Sequence, residues 1–135
     1  MPQPFIWIGV HKIKAGKAVE LKRMLSEFPD YVAENEPRLL AFNFYLNEDE
    51  TKVAVVQVHP DADSFEFHMK VAGEHISQSY PYLEATESTW IFGAPSPAVL
   101  DMVEQFRRAA GQEETLNVLS QPLSGFTRLG DDEPS

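Results

Sequence analysis

Two histidines, His59 and His68, are the side chains best suited by type to carry a proton near neutral pH, since an imidazole changes charge at about pH 6.5. His59 closes the apolar run 53–59 and is followed at once by Pro60. If residues 39–46 and 53–59 are neighbouring strands with Leu46 paired near Lys52, the alternation puts Asn43, Tyr45, Gln57 and His59 on one face. Phe42, Phe44, Ala54, Val56 and Val58 then share the other face. A neutral imidazole beside a phenol and two carboxamides can hold a hydroxylated aromatic molecule and accept its proton. The structural alternative is a strand-end histidine bonded to backbone or solvent. His68 stands at the margin of a helical apolar stripe, where burial disfavours the charged ring and keeps it neutral and basic; a packed structural histidine fits that position too. Trp7 and Trp90 offer flat apolar faces to the same kind of ligand, as they would to an ordinary core.

Other chemistries lack their residues. His68 and His75 are seven apart, about 10 Å along a helix, too far for both to reach one metal ion. The chain has no cysteine and no HxxxH or HExxH spacing, so no metal is expected. Neither a GxGxxG pattern nor a P-loop occurs, and no cofactor is expected. Ser96 follows Gly93, Ala94 and Pro95 without a nucleophile-elbow pattern, and as Ser-Pro it reads as a helix cap.

The elements that must position these groups follow from periodicity. Residues 5–11 alternate as a first strand, and Leu21, Met24, Leu25 and Phe28 then recur at the spacing of one helix face. Pro29 is expected to kink or end that helix, and Pro37 to stop any continuation. The two strands 39–46 and 53–59 are joined by the polar segment 47–51, short enough for a hairpin. Asp61 or Asp63 can cap a second helix with the buried stripe Phe65, Met69, Ala72 and Ile76, in which Gly73 suggests a close packing contact. Residues 87–92 read as a fourth strand with Trp90 and Phe92 on one face and Thr89 and Ile91 on the other. A third amphipathic helix carries Val99, Met102, Val103 and Phe106, and 115–119 and 123–129 are candidate short strands.

The order is β-α-β-β-α-β with an appendix, an α+β ferredoxin-like arrangement whose antiparallel sheet carries both helices on one face. Residues 1–92 are expected to form this domain, 93–129 an extension packed on it or on a dimer interface, and 130–135 a flexible tail. The sheet's second apolar face needs a cover, and a second copy of the chain supplies one. The 135 residues suit one domain. A net charge of −10 without a basic cluster opposes nucleic acid and anionic membrane surfaces as partners, with Lys12, Lys14 and Lys17 read as a solvated strand-to-helix junction. Residues 1–10 lack a signal-peptide pattern and no run approaches a membrane span, so a cytoplasmic protein is expected.

The phrasing Glu36-Pro37-Arg38 ahead of Leu39–Glu50, and then 55–68 ending in His68, resembles the antibiotic-biosynthesis-monooxygenase-like group of dimeric α/β-barrel proteins. Members often show Glu-Pro before the second strand and a histidine in the second helix. The resemblance covers residues 5–92 and implies a ferredoxin-like homodimer with a pocket between each sheet and its helices, with His68 at the family's helix position. Some members oxidise polycyclic phenols to quinones with dioxygen alone, and others degrade haem using a first-strand asparagine. No asparagine stands between Phe5 and Lys14 here, which argues against haem. The leading expectation is a cofactor-independent oxygenase-like enzyme on a small aromatic or polycyclic phenol, with His68 or His59 as base, Asn43, Tyr45 and Gln57 orienting the substrate and Trp7 and Trp90 stacking on it. The alternatives are a non-catalytic dimeric small-ligand-binding module and an isomerase or decyclase on the same scaffold.

Overall fold

A computed structural model of the chain describes residues 4–110 and 115–128. Its elements run β1 (Phe5–Ile13), α1 (Ala18–Asn35), β2 (Ala41–Leu46), β3 (Lys52–His59), α2 (Ala62–Ser79), a 3-10 turn (Tyr80–Tyr82), β4 (Leu83–Phe92), α3 (Pro97–Ala110) and β5 (Thr115–Leu119). The strands form one sheet in the order β2-β3-β1-β4-β5. The first four pair antiparallel, and β5 joins β4 in parallel. A parallel neighbour needs a crossover, and α3 provides it. The expected β-α-β-β-α-β sheet is present, and the short strand expected at 115–119 joins its edge as β5, making the sheet five-stranded and mixed. Residues 123–128 form no strand, and 129–135, with the expected tail, lie outside the described residues.

The core lies between the sheet and its helices in three patches. Phe5, Phe65, Ile91, Val99 and Val103 join β1, β4, α2 and α3; Ile13, Leu21 and Val53 join β1, β3 and α1; Phe28, Val32 and Ala72 join the two long helices. Because Val99 and Val103 are in the first patch, α3 is part of the same core as α2. Two local details differ from the sequence reading. Helix α1 continues through Pro29 to Asn35, because Phe28 and Val32, buried on either side of the proline, hold the helix against α2 and offset its local cost of about 3 kcal/mol. Gly73 has open space where a side chain would go, not a close contact.

The caps behave as their chemistry dictates. Asp61 Oδ1 accepts the Ser64 amide at 2.9 Å and starts α2. Ser96 Oγ accepts the Val99 amide at 3.2 Å at the head of α3 and donates to Glu66 Oε2 at 2.7 Å. Gly93, where β4 leaves the sheet, has φ +105, and a Cβ there would meet the Pro4 carbonyl at 2.9 Å, so only glycine fits without strain. None of the helices among the described residues is long and apolar enough to cross a membrane.

Candidate functional site

A cavity of about 390 Å³ opens between the sheet and the helices. Its wall is mostly apolar: Trp7 from β1, Phe42 and Phe44 from β2, Val53 and Val55 from β3, Leu21, Leu25 and Phe28 from α1, and Met69 and Ile76 from α2. Gly9 lies between Trp7 and His11 on the same face of β1. A Cβ at Gly9 would stand 3.1 Å from His11 Nε2 and 3.6 Å from Trp7 Nε1, so both rings lean over the missing side chain.

The chemistry in this wall centres on His68. The ring is fully buried, and its Nδ1 lies 2.8 and 2.9 Å from the two carboxylate oxygens of the equally buried Glu36. An ionised carboxylate only accepts, so Nδ1 carries the proton and donates it to Glu36. The other nitrogen, Nε2, is buried without a hydrogen-bond partner among the described residues. In the neutral ring it is therefore a bare lone pair on a residue that lines the cavity. Proton uptake at Nε2 turns a neutral ring beside a carboxylate into a buried ion pair, so the counter-charge is in place before the proton arrives. Glu36 reaches this position because α1 ends at Asn35, and Pro37 and Arg38 turn the chain toward β2.

His59 is different. Its centroid is 5.9 Å from that of His68, yet its Nδ1 meets Ser64 Oγ at 2.7 Å and its Nε2 meets Gln57 Oε1 at 2.9 Å. Burial above all, with the nearby Arg38 charge adding to it, pushes its pKa down to about 3. It is a neutral ring with both nitrogens engaged. His11, whose Nδ1 is 3.0 Å from Thr86 Oγ1, also lines the cavity, and burial lowers its pKa to about 4.

The strand register sorts the remaining candidates. Leu46 pairs with Val53 and Phe42 with Gln57, one residue away from the expected pairing. A slip of one exchanges the faces. Gln57 and His59 thus share the inner face with Phe42 and Phe44, whereas Asn43 opposes Val56 and Tyr45 opposes Ala54 on the outer one. Trp7 faces Gln57 and Ile91, while Trp90 faces Ile8 on the outer side. Of the sequence candidates, His68, Gln57 and Trp7 line the cavity with His59 directly behind them; Asn43, Tyr45 and Trp90 do not, which corrects their expected contact with a ligand there. Trp7 also stacks on Phe65 at 4.4 Å, so it is anchored in the core.

Two participants were not singled out from the sequence: Glu36 and His11. The first had a signal, since it opens the Glu-Pro phrase quoted above. The second shares the alternation of Phe5 and Trp7. Among the described residues no group of three or more His, Cys, Asp or Glu side chains is placed to hold a metal ion, and no Lys or Arg lines the cavity.

Solved structures match this architecture over most of its length. A protein from Pseudomonas fluorescens, MupZ, superimposes with a TM-score of 0.69 at 16% identity, covering 93% of this chain and 95% of its own. The fold is that of the antibiotic-biosynthesis-monooxygenase-like proteins. A candidate monooxygenase of that description from Nitrosomonas europaea superimposes with a TM-score of 0.61 at 15% identity, over 72% of this chain and 95% of its own. Another, from Chloroflexus aurantiacus, gives 0.55 at 16% identity, over 64% and 88%. The 93% shared with MupZ must include part of α3 and β5, so the extension beyond the monooxygenase-like fold has a structural counterpart there. Neither a protein-family model nor a curated protein matches the sequence.

Proposed function

We propose that this chain is a cytoplasmic, cofactor-independent oxygenase-like enzyme that deprotonates a small aromatic or polycyclic phenol at His68. One observation carries the reading: the buried Glu36–His68 pair leaves Nε2 without a partner on a residue that lines an apolar cavity. Nε2 takes the hydroxyl proton, and Glu36 holds the resulting imidazolium. The phenolate gives one electron to dioxygen far more readily than the phenol does. The phenoxyl and superoxide radicals join at a ring carbon as a peroxide, the His68 imidazolium returns its proton to it, and the hydroperoxide loses water, with the proton of that ring carbon, to leave a quinone. One oxygen atom of dioxygen ends in the quinone and the other in water. The absence of Lys and Arg from the described lining favours a neutral substrate over an anionic one.

The outer face supports a homodimer. Ile6, Ile8, Val10, Val56, Val58 and Phe92 are only partly covered there, and Trp90 remains 38% exposed. Leu123 and Phe126, 96% and 75% exposed, add apolar surface beyond β5. A second copy is the simplest cover for such a face. Native mass spectrometry should find a dimer; a monomer at micromolar concentration would contradict this.

Oxygen-electrode measurements on wild-type protein with naphthols and hydroxylated anthracenes test the activity. Uptake of dioxygen matched by quinone formation supports the proposal. Substrate conversion without dioxygen would point instead to an isomerase or decyclase, and tight binding without any turnover to a binding module; either result overturns it.

A further inference from the structure

Gln57 sits in the wall of the cavity only 4% exposed, yet its carboxamide is half used. Its oxygen lies 2.9 Å from His59 Nε2, and its amide nitrogen makes no hydrogen bond among the described residues. A carbonyl oxygen can only accept, so His59 must carry its proton on Nε2. The neutral ring has one proton, which leaves Nδ1 as an acceptor for the Ser64 hydroxyl at 2.7 Å. Ser64 is itself held by α2, whose cap Asp61 takes the Ser64 amide at 2.9 Å. With the carboxamide oxygen on His59, the relay runs from Ser64 to His59 to Gln57. With the carboxamide oxygen turned to His59, its two N–H bonds are left for whatever enters the cavity; the opposite orientation requires the other His59 tautomer, with the proton on Nδ1.

Register places this donor between flat surfaces. Trp7 opposes Gln57 on one side and Phe42 on the other. The His68 ring lies 5.2 Å from Phe42 and 5.9 Å from His59, centroid to centroid, so base and donor belong to the same part of the wall.

Building on the reading of His68 as the base, we infer that Gln57 is the donor that receives the substrate's negative oxygen, and that His59 and Ser64 are positioning residues that aim it. The substrate class follows from that pairing. A base and a two-proton amide donor in an apolar wall suit neutral, planar molecules whose conjugate base carries its charge on oxygen, namely phenols and enolisable conjugated carbonyl compounds. His59 then acts through Gln57 and touches no substrate.

The test uses 4-nitrophenol, whose phenolate is coloured and whose phenol is not, together with nitrogen-15 NMR of the histidine rings in ligand-free wild-type protein. Wild type is expected to hold the probe as phenolate, and Gln57→Leu to bind the phenolate roughly tenfold or more weakly while binding nitrobenzene as before. Ser64→Ala should weaken phenolate binding by a smaller factor, and Ser64→Thr, which keeps the hydroxyl, should restore it. NMR should find the His59 proton on Nε2. Undiminished phenolate binding by Gln57→Leu, or a His59 proton on Nδ1, overturns the inference. If wild type takes up no phenolate, the base assignment of His68 fails, and the His59 tautomer alone decides: Nε2–H upholds the aiming of Gln57, and Nδ1–H overturns it.

Discussion

The two faces of the sheet are built from the same strands and differ in what closes them. The inner face is covered by α1, α2 and α3, and its alternating positions hold Trp7, His11, Gln57 and His59 beside the buried Glu36–His68 pair. The outer face holds Ile6, Ile8, Val10, Val56 and Val58, each only partly covered, and its polar members, Asn43 and Tyr45, are solvent-exposed. A polar group in water is already satisfied, whereas one enclosed in apolar surroundings and left unpaired is costly to maintain. The lone pair of His68 is therefore informative, and the exposed carboxamide of Asn43 is not.

Substitutions on each face should give separable losses. The largest effect belongs to Glu36→Gln, which keeps the shape but removes the charge that holds the imidazolium. Phenol-dependent oxygen uptake should fall by about 10²-fold or more, mostly in kcat, as steady-state kinetics would show. On the outer face, Ile8 stands between Val56 and Trp90. Ile8→Glu should yield a monomer by light scattering while the circular dichroism of the fold persists; an intact dimer would place the interface elsewhere.

Acid should act on the inner face first. The pKa values of His59 and His11 are depressed to about 3 and about 4 by burial, so below about pH 6.5 the unfolded chain takes up protons that the folded chain refuses. Stability is then complete above that pH and declines as pH falls toward the folded values, by an amount on the order of a few kcal/mol. Thermal melting from pH 7 to pH 4 should show this decline, and a flat profile would mean that these rings are hydrated.

The smallest effects separate two glycines. Gly93→Ala must place a Cβ against the Pro4 carbonyl at positive φ and should destabilise by ~1–3 kcal/mol. Gly73→Ala, with open space in the middle of α2, should stabilise by roughly 0.5–1 kcal/mol. Urea denaturation distinguishes the two signs.

Element order, the helix stripes and both serine and aspartate caps were legible in the sequence because each depends on residues within a few positions of one another. The register of the β2–β3 hairpin was not. It is set by a loop in which Asn47 Oδ1 accepts the amides of Thr51 and Lys52 at 2.9 and 2.8 Å and Glu50 adopts φ 59, and no alternation pattern reveals a loop's backbone. That single residue of slip moved Asn43 and Tyr45 out of the site and brought Phe42 and Phe44 in beside Gln57. Glu36 was visible as part of a phrase but not as a partner, since 32 residues separate it from His68. His59 and His68 looked alike in type, and only their bonding distinguishes a saturated ring from an open one.

The measurement that bears most directly on the base assignment sets the two faces against each other in one assay: phenol-dependent oxygen uptake by His68→Gln and by Asn43→Ala, each checked for its fold. The account predicts that His68→Gln loses uptake by about 10²-fold or more and that Asn43→Ala keeps wild-type uptake. Full activity in His68→Gln, or its loss in Asn43→Ala with the dimer intact, would contradict it.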